Sequence, residues 1–196
     1  MGGVIGRALL EAKRPVRAVV RNAGKGQEWA DRGCEIALAD IGDVASLTAA
    51  FQGAEAVFVM VPSSFDPLPE FPEAHALGAT LKSALEAARP KRVVYLSTIG
   101  AQASQSNLLT QHWIIEQAIS TVPMPLTVLR PAWFMENCSW DVAPAREHGV
   151  IPSFLQTARQ TGADGGDGRH RKSRGGNSSR AVEWSFGWLN WKGQSA

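Results

Sequence analysis

His112 and Glu116 stand four residues apart in LLTQHWIIEQAI, a spacing that places both side chains on one face of a helix. An imidazole titrates near neutral pH, so His112 is a candidate proton donor, with Glu116 orienting it. The plainer reading is a solvated pair worth at most about 0.5 kcal/mol. Ser97 and Thr98 end KRVVYLST; a hydroxyl there can hydrogen-bond a carbonyl oxygen, or simply start a turn. Arg21 ends PVRAVVR, with Asn22 and Lys25 close behind. A guanidinium fork can bond two phosphate oxygens at once, although an arginine at a strand end is also common on any surface. Val61 and Pro62 close the run AVFVMVP, and strand ends in a parallel sheet form ligand crevices; Pro62 serves equally as a strand terminator. Asp40 closes CEIALAD, where an aspartate can cap the helix that follows. Cys34 and Cys138 lie far apart with no CxxC pairing, so they read as reduced thiols and not as a metal site.

These residues fall at the ends of elements whose pattern alternates between a period of two and one near 3.6 up to about Val150. PVRAVVR, CEIALAD, AEAVFVMV, KRVVYLST and PLTVLR read as strands. GQEWADRG, DVASLTAAFQG, EAHALGATLKSALEAAR and LLTQHWIIEQAI read as helices, and GGVIGRALL opens the chain as another. Gly33 and Gly53 mark two helix ends, and Leu77, Leu81 and Leu85 share one face. Strands alternating with helices of this length imply a doubly wound parallel sheet, an α/β fold of the Rossmann kind. The strands are nearly all apolar, as expected when both sheet faces are covered.

The chain has 196 residues, a formal net charge of +2, 44% hydrophobic and 19% charged residues. That is enough for one domain with a sizeable core, and the charge is too small to imply a nucleic-acid or membrane partner. No apolar run reaches the length that spans a bilayer, and no signal-peptide pattern opens the chain. A cytoplasmic protein is expected.

After Leu155 the character changes. Residues 157–196 are rich in Gly, Arg and Ser, hold no sustained period, and place Trp184, Trp188 and Trp191 within eight residues. The stretch reads as a disordered basic tail, as an arginine- and glycine-rich nucleic-acid segment, or as translation out of frame. A single inserted base after the codon for Gln156 permits the string PLDRPVPMVATADIGKVAA, which has the patterning the tail lacks. The expectation is therefore a nucleotide-binding domain over residues 1–156 and an aberrant, low-order stretch over 157–196.

The set RPVRAVVRN, DIGDVASLTAAFQGAEAVFVMVP, RVVYLSTIGA, HWIIEQAI and PLTVLRPAWFMEN resembles the NmrA-like branch of the atypical short-chain dehydrogenases. The resemblance covers roughly Met1 to Gln156. It implies a Rossmann fold that binds NAD(P)H, in a branch holding quinone or azo-dye reductases and also non-enzymatic redox-sensing regulators. The family opens with a GxxGxxG turn. Aligned on Ala8-Leu9-Leu10, Gly2 takes the place of the third glycine, and a strand with two further glycines is expected upstream of Met1. A misassigned start or a truncation would give that result, leaving the first strand and most of the glycine-rich loop missing. Two neighbouring strands would then carry unpaired backbone groups, and cofactor binding would suffer.

By the same resemblance Arg21, assisted by Asn22 and Lys25, would hold the 2′-phosphate of NADP(H), which is favoured over NAD(H). Asp40 would lie near the adenine, and Val61 and Pro62 beneath the nicotinamide ribose. Ser97 would stand where related enzymes polarise a substrate. The Tyr-xxx-Lys proton donor of typical short-chain dehydrogenases is missing: the only tyrosine, Tyr95, lies in a strand. Hydride transfer to a quinone-like acceptor fits that departure, since a hydroquinone anion can be protonated by water. Arg130-Pro131 with Trp133, Phe134, Met135, Glu136 and Asn137 would turn the chain toward a substrate lobe. The expected function is an oxidoreductase passing hydride from NADPH to a small quinone-like acceptor, with Ser97 and His112 as candidates for catalysis. The alternatives are an NADP(H)-sensing regulator acting through a protein partner, and an inactive truncated product.

Overall fold

A computed structural model describes residues 2–132, 134, 139 and 141–150, together with the backbone of 184–188. Six strands and six helices follow in order: α1 (Gly2–Glu11), β1 (Val16–Val20), α2 (Ala23–Ala30), β2 (Glu35–Leu38), α3 (Val44–Phe51), β3 (Ala56–Met60), α4 (Pro72–Ala88), β4 (Arg92–Leu96), α5 (Thr110–Ile119), β5 (Leu126–Leu129), α6 (Val142–His148) and β6 (Trp184–Trp188). The strands form one parallel sheet in the order β2-β1-β6-β3-β4-β5. This is the α/β fold the alternating pattern predicts. Residues 2–132 and the strand β6 belong to one compact unit, and 133–180 form a second, of which α6 is the described element.

The helices start and stop where local chemistry tells them to. Asn22 caps α2 by accepting the Lys25 backbone N–H, and Asp43 caps α3 by accepting from Ala45 and Ser46. Pro72 opens α4 at a position where its missing N–H costs nothing. Arg89, in the left-handed region at φ 50°, ends α4 just before Pro90. In the second unit, α6 ends on Gly149 at φ 65°, whose N–H bonds the Ala145 carbonyl, with Arg146 and His148 in the last turn.

One face of the sheet is covered by α3, α4 and α5. Leu47 and Phe51, Leu81 and Leu85, and Ile115 and Ile119 close over Val57, Val59, Val93 and Tyr95. Leu77 packs at the margin of this cluster. Gly78 lets α4 and α5 approach: a Cβ there would stand 2.7 Å from the Ala118 Cβ, which has no freedom to move aside. Gly78→Leu is accordingly expected to destabilise the fold by about 1–3 kcal/mol through overpacking, read as a lower urea midpoint at unchanged m-value.

The middle of the sheet departs from the sequence reading. The sequence reading expects two neighbouring strands with unpaired backbone groups. Instead β6 lies between β1 and β3 and pairs with both, Trp184 opposite Val16 and Ala56, and Gly187 opposite Val19 and Val59. Its residue types, Trp, Ser, Phe, Gly and Trp, include strong strand formers. Two open parallel edges supply the backbone partners that a local period cannot reveal. The remaining tail residues, and with them the region of the proposed frame change, lie outside the described residues.

Candidate functional site

In a parallel sheet every strand ends on the same edge, and the polar residues singled out by sequence fall there. Arg21 follows β1, Asp40 follows β2, Val61 and Pro62 follow β3, and Ser97 follows β4. Gly2 begins α1, buried at its amino-terminal turn. Arg21 and Lys25 are exposed. Asn22 is occupied as the cap of α2, its Oδ1 3.0 Å from the Lys25 nitrogen. An exposed guanidinium beside the first turn of a helix suits a phosphate, and the residues present therefore fit the adenosine end of a dinucleotide.

Asp40 does not cap the following helix; Asp43 does. Asp40 instead accepts the Gly42 N–H at 2.8 Å, and its own N–H donates to the Ser46 hydroxyl at 3.2 Å. The bonds from Ser46 and Ala45 hold the Asp43 carboxyl below the usual carboxylate range.

The largest difference from expectation concerns His112 and Glu116. They are not a solvated pair, and Glu116 does not orient His112. Both are buried, at 5% and 3% relative exposure, and each belongs to its own cluster. Alternation along β4 sends Tyr95 and Ser97 to the same face, toward α5. His112 Nδ1 meets the Tyr95 hydroxyl at 2.8 Å, and Nε2 meets the Ser63 hydroxyl at 2.8 Å. Glu116 accepts the Ser97 hydroxyl proton and two bonds from Arg130, one of them from Nε at 3.0 Å. The Arg130 guanidinium also lies 5.5 Å from the centre of the Trp113 ring.

Burial sets the electrostatics. It pushes the His112 imidazole below its ordinary value, against the opposing pull of Glu116. It pushes the Tyr95 phenol well above its usual range, with the Glu116 charge adding to the rise. The hydrogen bond to Glu116 holds Arg130 above its ordinary value. A neutral imidazole, a neutral phenol and a carboxylate–guanidinium pair thus share this corner of the fold.

The loop after β3 joins the same construction. Gln111 accepts the Ser64 N–H at 2.8 Å and returns a bond to the Ser64 carbonyl at 2.9 Å. Ser63 and Gln111 escaped sequence reasoning, which placed Tyr95 only in a strand and Arg130 only at the turn toward a substrate lobe. The one available signal was the i, i+2 placement of Tyr95 and Ser97 on a single strand face.

On the other side of β4, Leu96 lines an open, mainly apolar hollow of about 350 Å³ with Ile5, Leu129, Arg130 and Pro131. That size lies within the usual range for small-molecule sites. Phe134 is half-buried, whereas Trp133, Met135, Glu136, Asn137 and Cys138 lie outside the described residues. Cys34 is a buried free thiol that burial pushes up. Among the described residues no group of three His, Cys, Asp or Glu could hold a metal ion, and no helix is long and apolar enough to cross a membrane.

Comparison with known proteins places the chain in a family. The NAD(P)H-binding family matches residues 1–152. Quinone oxidoreductase 2 of Escherichia coli (strain K12) is 32% identical over 134 residues, 68% of this chain and 45% of the relative. The NAD(P)H azoreductase of Xenophilus azovorans is 32% identical over 151 residues, 76% of this chain and 50% of that protein. Among solved structures, the NADPH-dependent quinone oxidoreductase of Escherichia coli complexed with NADPH superposes with a TM-score of 0.64 at 30% identity, covering 76% of this chain and 52% of that one. The triphenylmethane reductase of Citrobacter sp. gives a TM-score of 0.62 at 27% identity, covering 74% and 51%. The chain spans about half the length of the curated relatives it matches. On the fold and these matches, the chain belongs to the NAD(P)H-binding family of atypical short-chain dehydrogenases.

Proposed function

We propose that this chain binds NADP(H), in preference to NAD(H), along the carboxyl edge of its sheet, and that hydride passes from the nicotinamide to a small quinone-like acceptor. The observation that carries the reading is the exposed Arg21 at the end of β1, in a chain of the NAD(P)H-binding family. Two similar proteins point the same way by name, a quinone oxidoreductase and an NADPH complex of such an enzyme.

Each residue has a part in this reading. Gly2 keeps the first turn of α1 free of a side chain, so that its backbone amides face the pyrophosphate. Arg21 grips the 2′-phosphate with two parallel bonds, Lys25 adds charge, and Asn22 fixes the turn between them. Asp40 borders the adenine. Val61 and Pro62 form the floor beneath the nicotinamide ribose, and Ser97 stands at the adjoining strand end. When bound, NADPH supplies the hydride. Among the described residues no exposed acid stands beside it: the Ser97 hydroxyl donates to Glu116, and both His112 nitrogens are taken. An acceptor whose reduced anion is protonated by water suits that site, and the hollow edged by Leu96 and Pro131 offers an apolar wall for a planar ring. Residues 1–156 carry this nucleotide-binding part together with the strand β6, in a cytoplasmic setting that keeps Cys34 reduced.

Arg21→Ala is expected to weaken NADPH binding about 10–100-fold, the usual worth of charge-assisted bonds to phosphate. NADH binding is expected to stay within twofold. Titration calorimetry with both dinucleotides checks this, and equal losses for the two would remove the 2′-phosphate assignment. The internal commitment of Ser97 and His112 also favours a second reading, a regulator that binds NADP(H) without turnover and signals through a protein partner. Oxidation of NADPH on adding a simple quinone separates the two: turnover supports the oxidoreductase, and tight binding without turnover supports the regulator.

A further inference from the structure

The loop leaving β3 is fastened to α5 by two consecutive side chains. Gln111, buried, lies against Ser64 as a strand would: its Oε1 takes the Ser64 N–H at 2.8 Å, and its Nε2 donates to the Ser64 carbonyl at 2.9 Å and to the Leu108 carbonyl at 2.7 Å. His112 then holds the Ser63 hydroxyl at 2.8 Å, while its other nitrogen is locked on Tyr95. Beyond this fastening the loop turns outward, and Phe65 is 81% exposed. The imidazole is poorly placed to deliver protons. The chain of bonds behind it ends at Tyr95, which is fully buried. What the pair can do is fix the height and tilt of residues 61–64.

We infer that Gln111 and His112 are positioning residues that hold Val61–Ser64 in the geometry needed by the nicotinamide half of a bound dinucleotide. This rests on the proposed NADP(H) reading and adds to it the residues that set affinity for one half of the ligand. The adenosine half, which would meet β1 and β2, is independent of the fastening.

The test uses the full chain and two ligands, NADPH and 2′,5′-ADP, which carries the adenosine half alone. Gln111→Ala and Ser63→Ala are expected to weaken NADPH binding about tenfold each, the usual scale for a lost hydrogen bond that orders a contact. Binding of 2′,5′-ADP is expected to stay within twofold. Ser63→Thr, which keeps the hydroxyl, is expected to restore NADPH affinity. Equal losses for both ligands would show general damage to the fold and overturn the inference; unchanged NADPH binding in both alanine variants would overturn it as well. A wild-type chain that binds neither ligand sinks the NADP(H) reading itself, and the positioning role goes with it.

Discussion

Glu116→Ala is expected to cost about 3 kcal/mol of unfolding free energy, a drop of roughly 10 °C in Tm for a chain of this size. The carboxylate is buried and receives the Ser97 hydroxyl and two bonds from Arg130. Truncation leaves the buried Ser97 hydroxyl with no acceptor and opens a void between β4 and α5. Both penalties act together, since a buried donor without a partner pays its full desolvation. Arg130 softens the loss because its side chain is 35% exposed and can turn to water. Glu116→Gln keeps the volume and one acceptor, so it should cost less than half as much. Thermal unfolding of the two variants provides the check. An unchanged midpoint in Glu116→Ala would mean that the carboxylate does not tie β4, α5 and the end of β5 together.

His112→Ala carries the second large effect, about 2–4 kcal/mol from a cavity plus the orphaned Tyr95 hydroxyl. It also changes the response to pH. The folded imidazole titrates below its ordinary value because of burial. Protons therefore bind the unfolded chain first. Wild-type stability is full above the unfolded value near pH 6.5 and falls as pH drops below it. The slope approaches about 1.4 kcal/mol per pH unit and flattens once the folded imidazole also takes a proton. His112→Gln should remove this component. Urea midpoints at pH 7.5 and pH 5.5 check the sign: the wild type should lose more stability between them than the variant. The reverse order would mean that the imidazole is charged in the fold.

Local patterns made most of the scaffold readable. PVRAVVR became β1, AVFVM became β3, and the helix carrying Leu81 and Leu85 runs from Pro72 to Ala88. The helix has a period set by one buried face, β1 and β3 are apolar runs buried on both faces, and helix starts carry Asn22, Asp43 and Pro72, whose capping chemistry is local. The site was harder, since its partners are remote. Ser63 and His112 are 49 residues apart, and Tyr95 and His112 are 17 apart. A helical spacing can show that His112 and Glu116 share a face, but not that each turns to a different strand. β6 was illegible for a related reason: its pairing is dictated by two edges that precede it in the chain by more than a hundred residues, whereas its own neighbourhood has no period.

That late strand has a cost during synthesis. Because Trp184–Trp188 follows every other described strand in chain order yet sits at the heart of the sheet, β1 with β2 and β3 with β4 and β5 emerge from the ribosome as two separate ribbons. Each bares an unguarded flank of backbone until the final stretch arrives, which is when strand-to-strand clumping between nascent copies is easiest. Slower translation over the preceding segment would lengthen that window, and a holdase that shields bare strands would shorten its consequences.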